Sequence, residues 1–270
     1  MDNMMQIQKS ADVSPFDKHF EVILADTEYS RQVHYQLRYQ VYCLDECFEE
    51  QDDGQEEIER DEWDSHSTHF LVRNRQTSDW VAAMRMVTPD TNRALPIEQL
   101  CDINPLVAST SSGNQIAEIS RLCILNSYRR RQTARVLPFD VDSTRKQDGI
   151  STIQTNINSS RSLIMKGLLR AASIYSYDNN IPYWYFLTTP ALARIVNRMG
   201  VQMIKAGSAC NHCGVRYPFL ANIHAAVNQA KQGCQDMALL FSNPENAYTR
   251  YSTIETPYRQ STHEDNYLVA

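Results

Sequence analysis

What the chain lacks narrows its class first. No segment approaches the roughly 18 consecutive apolar residues needed to cross a bilayer. Met1 to Pro15 has no cationic start followed by an apolar core, so it does not read as a secretory signal. Positive charge is in deficit: 26 Lys and Arg face 32 Asp and Glu, a net charge of -6, which argues against a nucleic-acid surface spread over the molecule. There is no internal repeat, and His66, His69, His212 and His224 show no metal-ligand spacing. Seven cysteines, an odd number scattered through a chain long enough to need no staples, predict reduced thiols and a cytoplasmic protein. Cys210-Asn-His-Cys213 has the spacing of a zinc knuckle or a redox pair, and only Cys43 and Cys47 offer a second pair to meet it. The expectation is incidental thiols, no bound metal and no resident cofactor.

What is present is an ordinary globular composition, 42% apolar and 21% charged over 270 residues. It predicts one domain over 19–241, with flexible ends at 1–18 and 242–270. His19 to Ala25 reads as a strand, and Val33, Leu37, Val41 and Leu44 form the stripe of a helix capped at Thr27 or Ser30, with Arg38 at its border. Thr68 to Arg73 and Trp80 to Val87 flank a short polar turn and read as a hairpin. A short helix from Pro96, a strand over Ala117 to Leu125 and an insertion loop over about 132–159 follow. Then come a helix capped by Ser160, a strand over Tyr183 to Leu187, a helix from Pro190, a strand over Val201 to Ala206 and a helix around Ile223 to Lys231. This order predicts an α/β (α+β) layer with a mixed, mostly antiparallel sheet flanked by helices. It is similar to the acyl-CoA N-acyltransferase-like fold of the N-acetyltransferase superfamily.

Superimposed on this frame is an ordered set of charges: Arg38 and Tyr42, then Glu59, Asp61 and Asp64, then Arg85, then Glu118 and Arg121. Arg85 and Glu118 interrupt apolar strands, and an unpaired buried charge costs several kcal/mol or more, so these groups are paired or chemically employed. Arg60, Glu62 and the acids from Glu49 to Glu57 read as a solvated loop. In a regular strand Glu118 and Arg121 point to opposite faces, so both reach one site only across a bulge.

These residues, with Gly214-x-Arg216-x-Pro218, resemble acyl-homoserine-lactone synthases and their relatives. Those relatives are the N-acyl amino acid synthases and the acyltransferases associated with PEP-CTERM/exosortase systems. The resemblance spans roughly Phe20 to Val227. The autoinducer-making members carry a tryptophan where this chain has Cys43 to Phe48, which favours the other two branches. The resemblance implies transfer of a fatty acyl group from a thioester to the amine of an amino-acid-like acceptor. Such a reaction needs a proton acceptor, for which Glu118 is the candidate, and donors for an oxyanion. Asp61 and Asp64 hold the ammonium or pair with arginines, Arg85 and Arg121 lock those carboxylates, and Arg38, Tyr42 and Glu59 are candidates for substrate binding.

In this superfamily, coenzyme A users cradle pyrophosphate on a glycine-containing loop. The corresponding Arg129-Arg-Arg-Gln-Thr-Ala134 has no glycine, so Arg129, Arg130 and Arg131 are assigned to docking an acidic acyl carrier protein. Tyr183 to Leu187 with Met84 and Met86 are candidates for an acyl slot. Other readings are a coenzyme-A-dependent acyltransferase, an autoinducer synthase and a catalytically inactive acyl-binding module.

Overall fold

The computed structural model describes residues 13–45, 57–89, 94–110, 115–129, 147–232, 235–242 and 244–255. The first half is built from α1 (Pro15–His19), β1 (Phe20–Leu24), α2 (Glu28–Tyr39), β2 (Ser67–Asn74), β3 (Trp80–Val87), α3 (Pro96–Leu100), α4 (Pro105–Thr110), β4 (Ile116–Ile124) and α5 (Asn126–Arg129). The second half holds α6 (Gln147–Asp178), β5 (Tyr183–Thr188), α7 (Pro190–Arg198), β6 (Met203–Lys205), β7 (Cys210–Asn211), β8 (Val215–Asn222), α8 (Ile223–Gln232) and α9 (Gln235–Leu240). It ends with β9 (Thr249–Arg250) and α10 (Tyr251–Glu255).

The strands form one mixed sheet in the order β6-β8-β5-β4-β3-β2-β1-β9, with β7 paired to β8. Pairing is antiparallel except at β4 with β5 and at β1 with β9. Alternation along each strand gives the sheet two faces. One carries Val22, Phe70, Met84, Met86, Ala117, Ile119, Trp184, Phe186 and Ala221, covered by α6, α7 and α8. Gly167 of α6 allows α1 to dock there, because a Cβ would lie 2.2 Å from the Phe16 ring. The other face carries Ile23, Leu71 and Ala83 under α2, and Val87, Tyr185 and Leu220 under the α3 segment with Trp63.

Several local departures from the sequence reading have physical causes. The helix from Ser160 starts earlier, at Gln147, so part of the expected insertion loop is helical and 130–146 lies outside the described residues. α2 starts at Thr27 through a capping box with Ser30. Its end widens into a π-turn over Gln40–Asp45. The extra residue per turn rotates the stripe, leaving Val41 buried and Leu44 exposed. β8 was not expected, since Pro218 breaks its pattern. Its carbonyl accepts from the Ala206 amide at 2.8 Å, and the strand lies between β5 and β6. Beyond residue 242 the chain returns to the sheet: β9 pairs with β1, and the Ser252 hydroxyl donates to Asp26 at 2.7 Å.

Cys101 and Cys210 are joined in a disulfide, which corrects the expectation of reduced thiols throughout. Cys213 is exposed and outside that bond, and among the described residues no group of three or more His, Cys, Asp and Glu could hold a metal ion. No described helix is long and apolar enough to cross a membrane. The bridge closes a loop 109 residues long in sequence between the end of α3 and β7. Replacing Cys101 with Ser is expected to cost about 2–4 kcal/mol through the freer unfolded chain. That is a fall of roughly 5–10 °C in melting temperature. An unchanged melting curve in Cys101→Ser and under dithiothreitol contradicts this.

Candidate active site

The site is assembled on a segment that folds onto itself before it meets the sheet. Between Glu57 and Ser67 the chain is a loop and one 3-10 turn, Asp64–His66. The Asp64 carboxylate accepts from the Asp61 amide at 2.7 Å, and the Asp61 carboxylate accepts from the Trp63 amide at 2.9 Å. These Asx-type bonds pre-shape the loop. They also aim both carboxylates and Glu59 at the sheet.

Three arginines from three elements receive them. Arg38 of α2 donates Nε–H to Glu59 and Nη1–H to Asp64, the latter at 2.5 Å. Arg85 of β3 donates to Asp61 at 2.5 Å, to Asp64 at 3.0 Å and to the Ser120 hydroxyl at 3.1 Å. Arg121 of β4 donates to Glu59 at 3.2 Å and to Asp61 at 3.1 Å. Each acid bridges two arginines, so the loop is tied at once to α2, β3 and β4. Arg38 is 0% exposed and Arg85 2%, so Arg38, at the border of its helix stripe, is fully enclosed. Arg60 and Glu62 are exposed, as the sequence reading had them.

Arg121 reaches this hub through a bulge. Ala83 pairs with Cys123 and Arg85 with Ser120, so Arg121 and Leu122 both face Met84, and Arg121 takes a left-handed φ of 50°. The bulge resolves the parity problem with Glu118. Tyr42 secures it from α2's extension, donating its hydroxyl to the Leu122 carbonyl at 3.0 Å under the Arg121 guanidinium. Burial raises the Tyr42 phenol well above its usual range and keeps it a donor.

β4 and β5 pair only from Ile116 to Ile119, opposite Tyr183 to Phe186. Beyond that point β4 follows β3 and β5 follows β8, and the strands part. A pocket of about 390 Å³ opens at the split. One half is polar, with Asp61, Trp63, Arg85, Pro96, Leu100, Glu118, Arg121, His212, Cys213 and Arg216. The other is an apolar arm on the α6 and α7 side, with Met165, Leu168, Leu169, Phe186, Leu192 and Val196. Of the residues expected to form an acyl slot, Met84, Phe186 and Leu187 line the pocket, whereas Tyr183, Trp184, Tyr185 and Met86 do not. The α6 and α7 faces were not anticipated, because their apolar stripes are indistinguishable from core stripes in sequence.

Asp64 in the hub and Glu118 beside it are held in different states. Burial opposes ionisation of Asp64, but Arg38 and Arg85 outweigh it and hold the group at about 2. Glu118 accepts one bond from the Ile97 amide at 2.8 Å, and burial pushes it up to about 7 against the pull of that amide, Arg85 and Arg121. Arg38, Glu59 and Asp64 do not line the pocket and stand behind it, whereas Tyr42, Asp61, Arg85, Glu118 and Arg121 line it. Arg130 and Arg131 lie outside the described residues, and of Arg129 only the backbone at the end of α5 is described.

Behind the hub two buried histidines meet with ring centroids 4.6 Å apart. His34 bonds the Met84 carbonyl at 3.3 Å and His69 the Asp64 carbonyl at 3.1 Å, both through Nε2. Burial lowers both, His69 to about 4 despite the attraction of Asp64, so they are neutral at pH 7.

Residues 37–138 match an acetyltransferase (GNAT) domain family. The fold is similar to that of TofI, solved in a ternary complex with an inhibitor and MTA, at 15% identity over 83% of this chain and 98% of that one, TM-score 0.50. It is likewise similar to MesI, a CoA-dependent acyl-homoserine lactone synthase, at 14% identity over 79% of this chain and 93% of that one, TM-score 0.50. FeeM, an N-acyl amino acid synthase from uncultured soil microbes, aligns at 11% identity over 78% and 94% with TM-score 0.46. No curated protein sequence matches. The domain match over 37–138 and the split sheet are those of a GNAT-like acyltransferase fold.

Asp64→Asn keeps the shape of the side chain but leaves Arg38 and Arg85 short of a counter-charge. It is expected to cost about 3–5 kcal/mol in urea unfolding; a change under 1 kcal/mol contradicts the hub. Because His69 titrates at about 4 when folded and 6.5 when unfolded, the unfolded chain binds protons first on acidification. Stability is therefore full above pH 6.5 and falls as pH drops toward 4. Replacing His69 with Gln should flatten that slope, and an unchanged slope contradicts the assignment.

Proposed function

We propose that the chain moves a fatty acyl group from a carrier thioester to the amine of an amino-acid-like acceptor, with Glu118 as proton acceptor. The observation that carries this reading is a buried carboxyl titrating near 7 where the sheet splits, between an apolar arm and a polar chamber. A group poised near the working pH both takes and returns a proton. The acyl chain occupies the arm of Leu168, Phe186, Leu192 and Val196, which brings the thioester carbon to the split beside β4.

The ammonium of the acceptor gives a proton to Glu118, directly or through one water. Its nitrogen lone pair attacks the thioester carbon, and the carbonyl pair moves to oxygen, which accepts from backbone N–H groups of β4 near the bulge. Collapse breaks the C–S bond, the adduct nitrogen releases its second proton to solvent, and the departing thiolate takes the proton held by Glu118, so one proton is released per amide formed. Asp61, Asp64, Arg85 and Arg121 position this chamber. Their charges are satisfied by one another, so the loop is a wall and not an ammonium trap.

Acyl carrier protein is the proposed donor, supported by the glycine-free segment Arg129 to Ala134 in the place of a pyrophosphate cradle. The likeness to MesI, a CoA-dependent synthase, brings acyl-CoA as the second donor to assay. A cytoplasmic location goes with either donor. Membership of an exosortase-linked system rests on the resemblance around Arg38 to Tyr42 and is tested by the surface display of exosortase substrates after loss of the chain. The assay is incubation of long-chain acyl carrier protein, or acyl-CoA, with amines, followed by mass spectrometry for acyl amides.

In that assay kcat/KM rises with pH through about 7 as Glu118 loses its proton. Glu118→Gln lowers kcat by roughly 10²- to 10⁴-fold. Retained turnover in Glu118→Gln, or a flat profile between pH 6 and 8, contradicts the role.

A further inference from the structure

The hub is charge-balanced, with Arg38, Arg85 and Arg121 against Glu59, Asp61 and Asp64. A further arginine lines the polar chamber from another strand. Arg216 lines the pocket from β8, together with Trp63, Pro96, Leu100 and Glu118. Its face follows from alternation along the strand. Leu220 packs with Tyr185, Val87 and Trp63, while Phe219 and Ala221 pack toward α6 and α7. Arg216 shares the parity of Leu220 and so lies on the face that also carries Arg85 and Glu118. Tyr217 has the opposite parity and holds Lys205 over its ring at 3.9 Å. The pocket's remaining arginine, Arg161, lies on α6 one turn before Met165, on the side of the apolar arm.

Arg216 is also fixed in place. Its cross-strand partner in the β7–β8 hairpin is Cys210, which is bonded to Cys101 at the end of α3. α3 supplies Pro96 and Leu100 to the pocket and the Ile97 amide to Glu118. The turn between the strands is closed by Gly214 at φ 96°, and Arg216 Nη2 donates to the Cys213 carbonyl at 3.2 Å. One covalent tie therefore sets the spacing between the proton acceptor and this guanidinium.

We propose that Arg216 binds the carboxylate of the acceptor, so that the chain acylates amino acids and discriminates against amines that lack a carboxylate. The assignment rests on the amide-forming reading above. A zwitterionic amino acid entering this chamber must have its carboxylate paired, since leaving an anion desolvated is costly. A guanidinium meets a carboxylate through two parallel N–H bonds, which also orients the amine. With the carboxylate on β8 and Glu118 on β4, the amine faces the split where the thioester arrives. Arg216 is a binding residue: the proton transfer and the C–S cleavage proceed without it.

The test compares free α-amino acids with their primary amides as acceptors, in the intact chain, Arg216→Gln and Arg216→Lys, with amide product read by mass spectrometry. The intact chain should prefer the free acid. Arg216→Gln should raise KM for the acid by roughly 10- to 100-fold, the loss of one charged pairing, while kcat falls far less. It should also erase the preference between acid and amide, and Arg216→Lys should restore part of it. Equal use of acid and amide by the intact chain, or an unchanged preference in both variants, overturns the assignment while leaving amide synthesis standing. No amide from any amine with either donor overturns both readings.

Discussion

Six charges hold the chamber together: Glu59, Asp61 and Asp64 on one loop, and Arg38, Arg85 and Arg121 on a helix and two strands. No member is stable alone in that environment. A buried guanidinium beside apolar Met84 and Val87 is tolerated only because two acids meet it, and each acid in turn is shared by two arginines. The arrangement contributes geometry more than net stability, since apolar residues of similar volume fill a core at lower desolvation cost. It fixes where the loop lies, where the bulge in β4 forms and therefore where β4 leaves β5.

From that constraint the chemistry follows. Two carboxyl groups differ in state because their surroundings differ: Asp64 is bonded by two guanidinium groups and stays ionised, while Glu118 accepts one amide bond and its burial, against the pull of that amide, Arg85 and Arg121, pushes it up to about 7. The first is structural and permanently charged. The second is the group that the proposed reaction uses to move a proton. In the proposed reaction the split strands give a thioester a place to lie, the α6 and α7 side gives a hydrocarbon chain an apolar channel, and the opposite face gives a charged acceptor a polar one.

Much of this frame was legible from residue pattern. The hairpin of β2 and β3, the cap at Thr27, the short helix at Pro96, β5 and α7 follow from periodicity and turn chemistry that act locally. The bulge was legible as a requirement: Glu118 and Arg121 share a site only if the strand is irregular, and φ at Arg121 is 50°. What was hidden depends on distant partners. β8 was masked by Pro218, whose missing N–H matters only once its neighbours are known. The disulfide joins residues 109 apart, and nothing local to Cys101 distinguishes it from Cys123. Arg38 carried the spacing of a border residue, and its complete burial follows from Glu59 and Asp64 arriving from another segment. An apolar slot was expected between strands, and Met84, Phe186 and Leu187 line the pocket; the aliphatic faces of α6 and α7 that complete it look like core stripes in sequence.

The central claim is that the ion-paired loop and the parting of β4 from β5 create one continuous passage in which a thioester meets an amine beside Glu118. A crystal structure with a non-hydrolysable long-chain acyl thioester analogue tests it most directly. The account predicts the hydrocarbon among Leu168, Phe186, Leu192 and Val196, the thioester carbonyl against β4 at Ser120 to Leu122, and Glu118 one water or less from the space left for the nitrogen. An analogue bound elsewhere, or a closed split with the chain's arm filled by its own side chains, contradicts it.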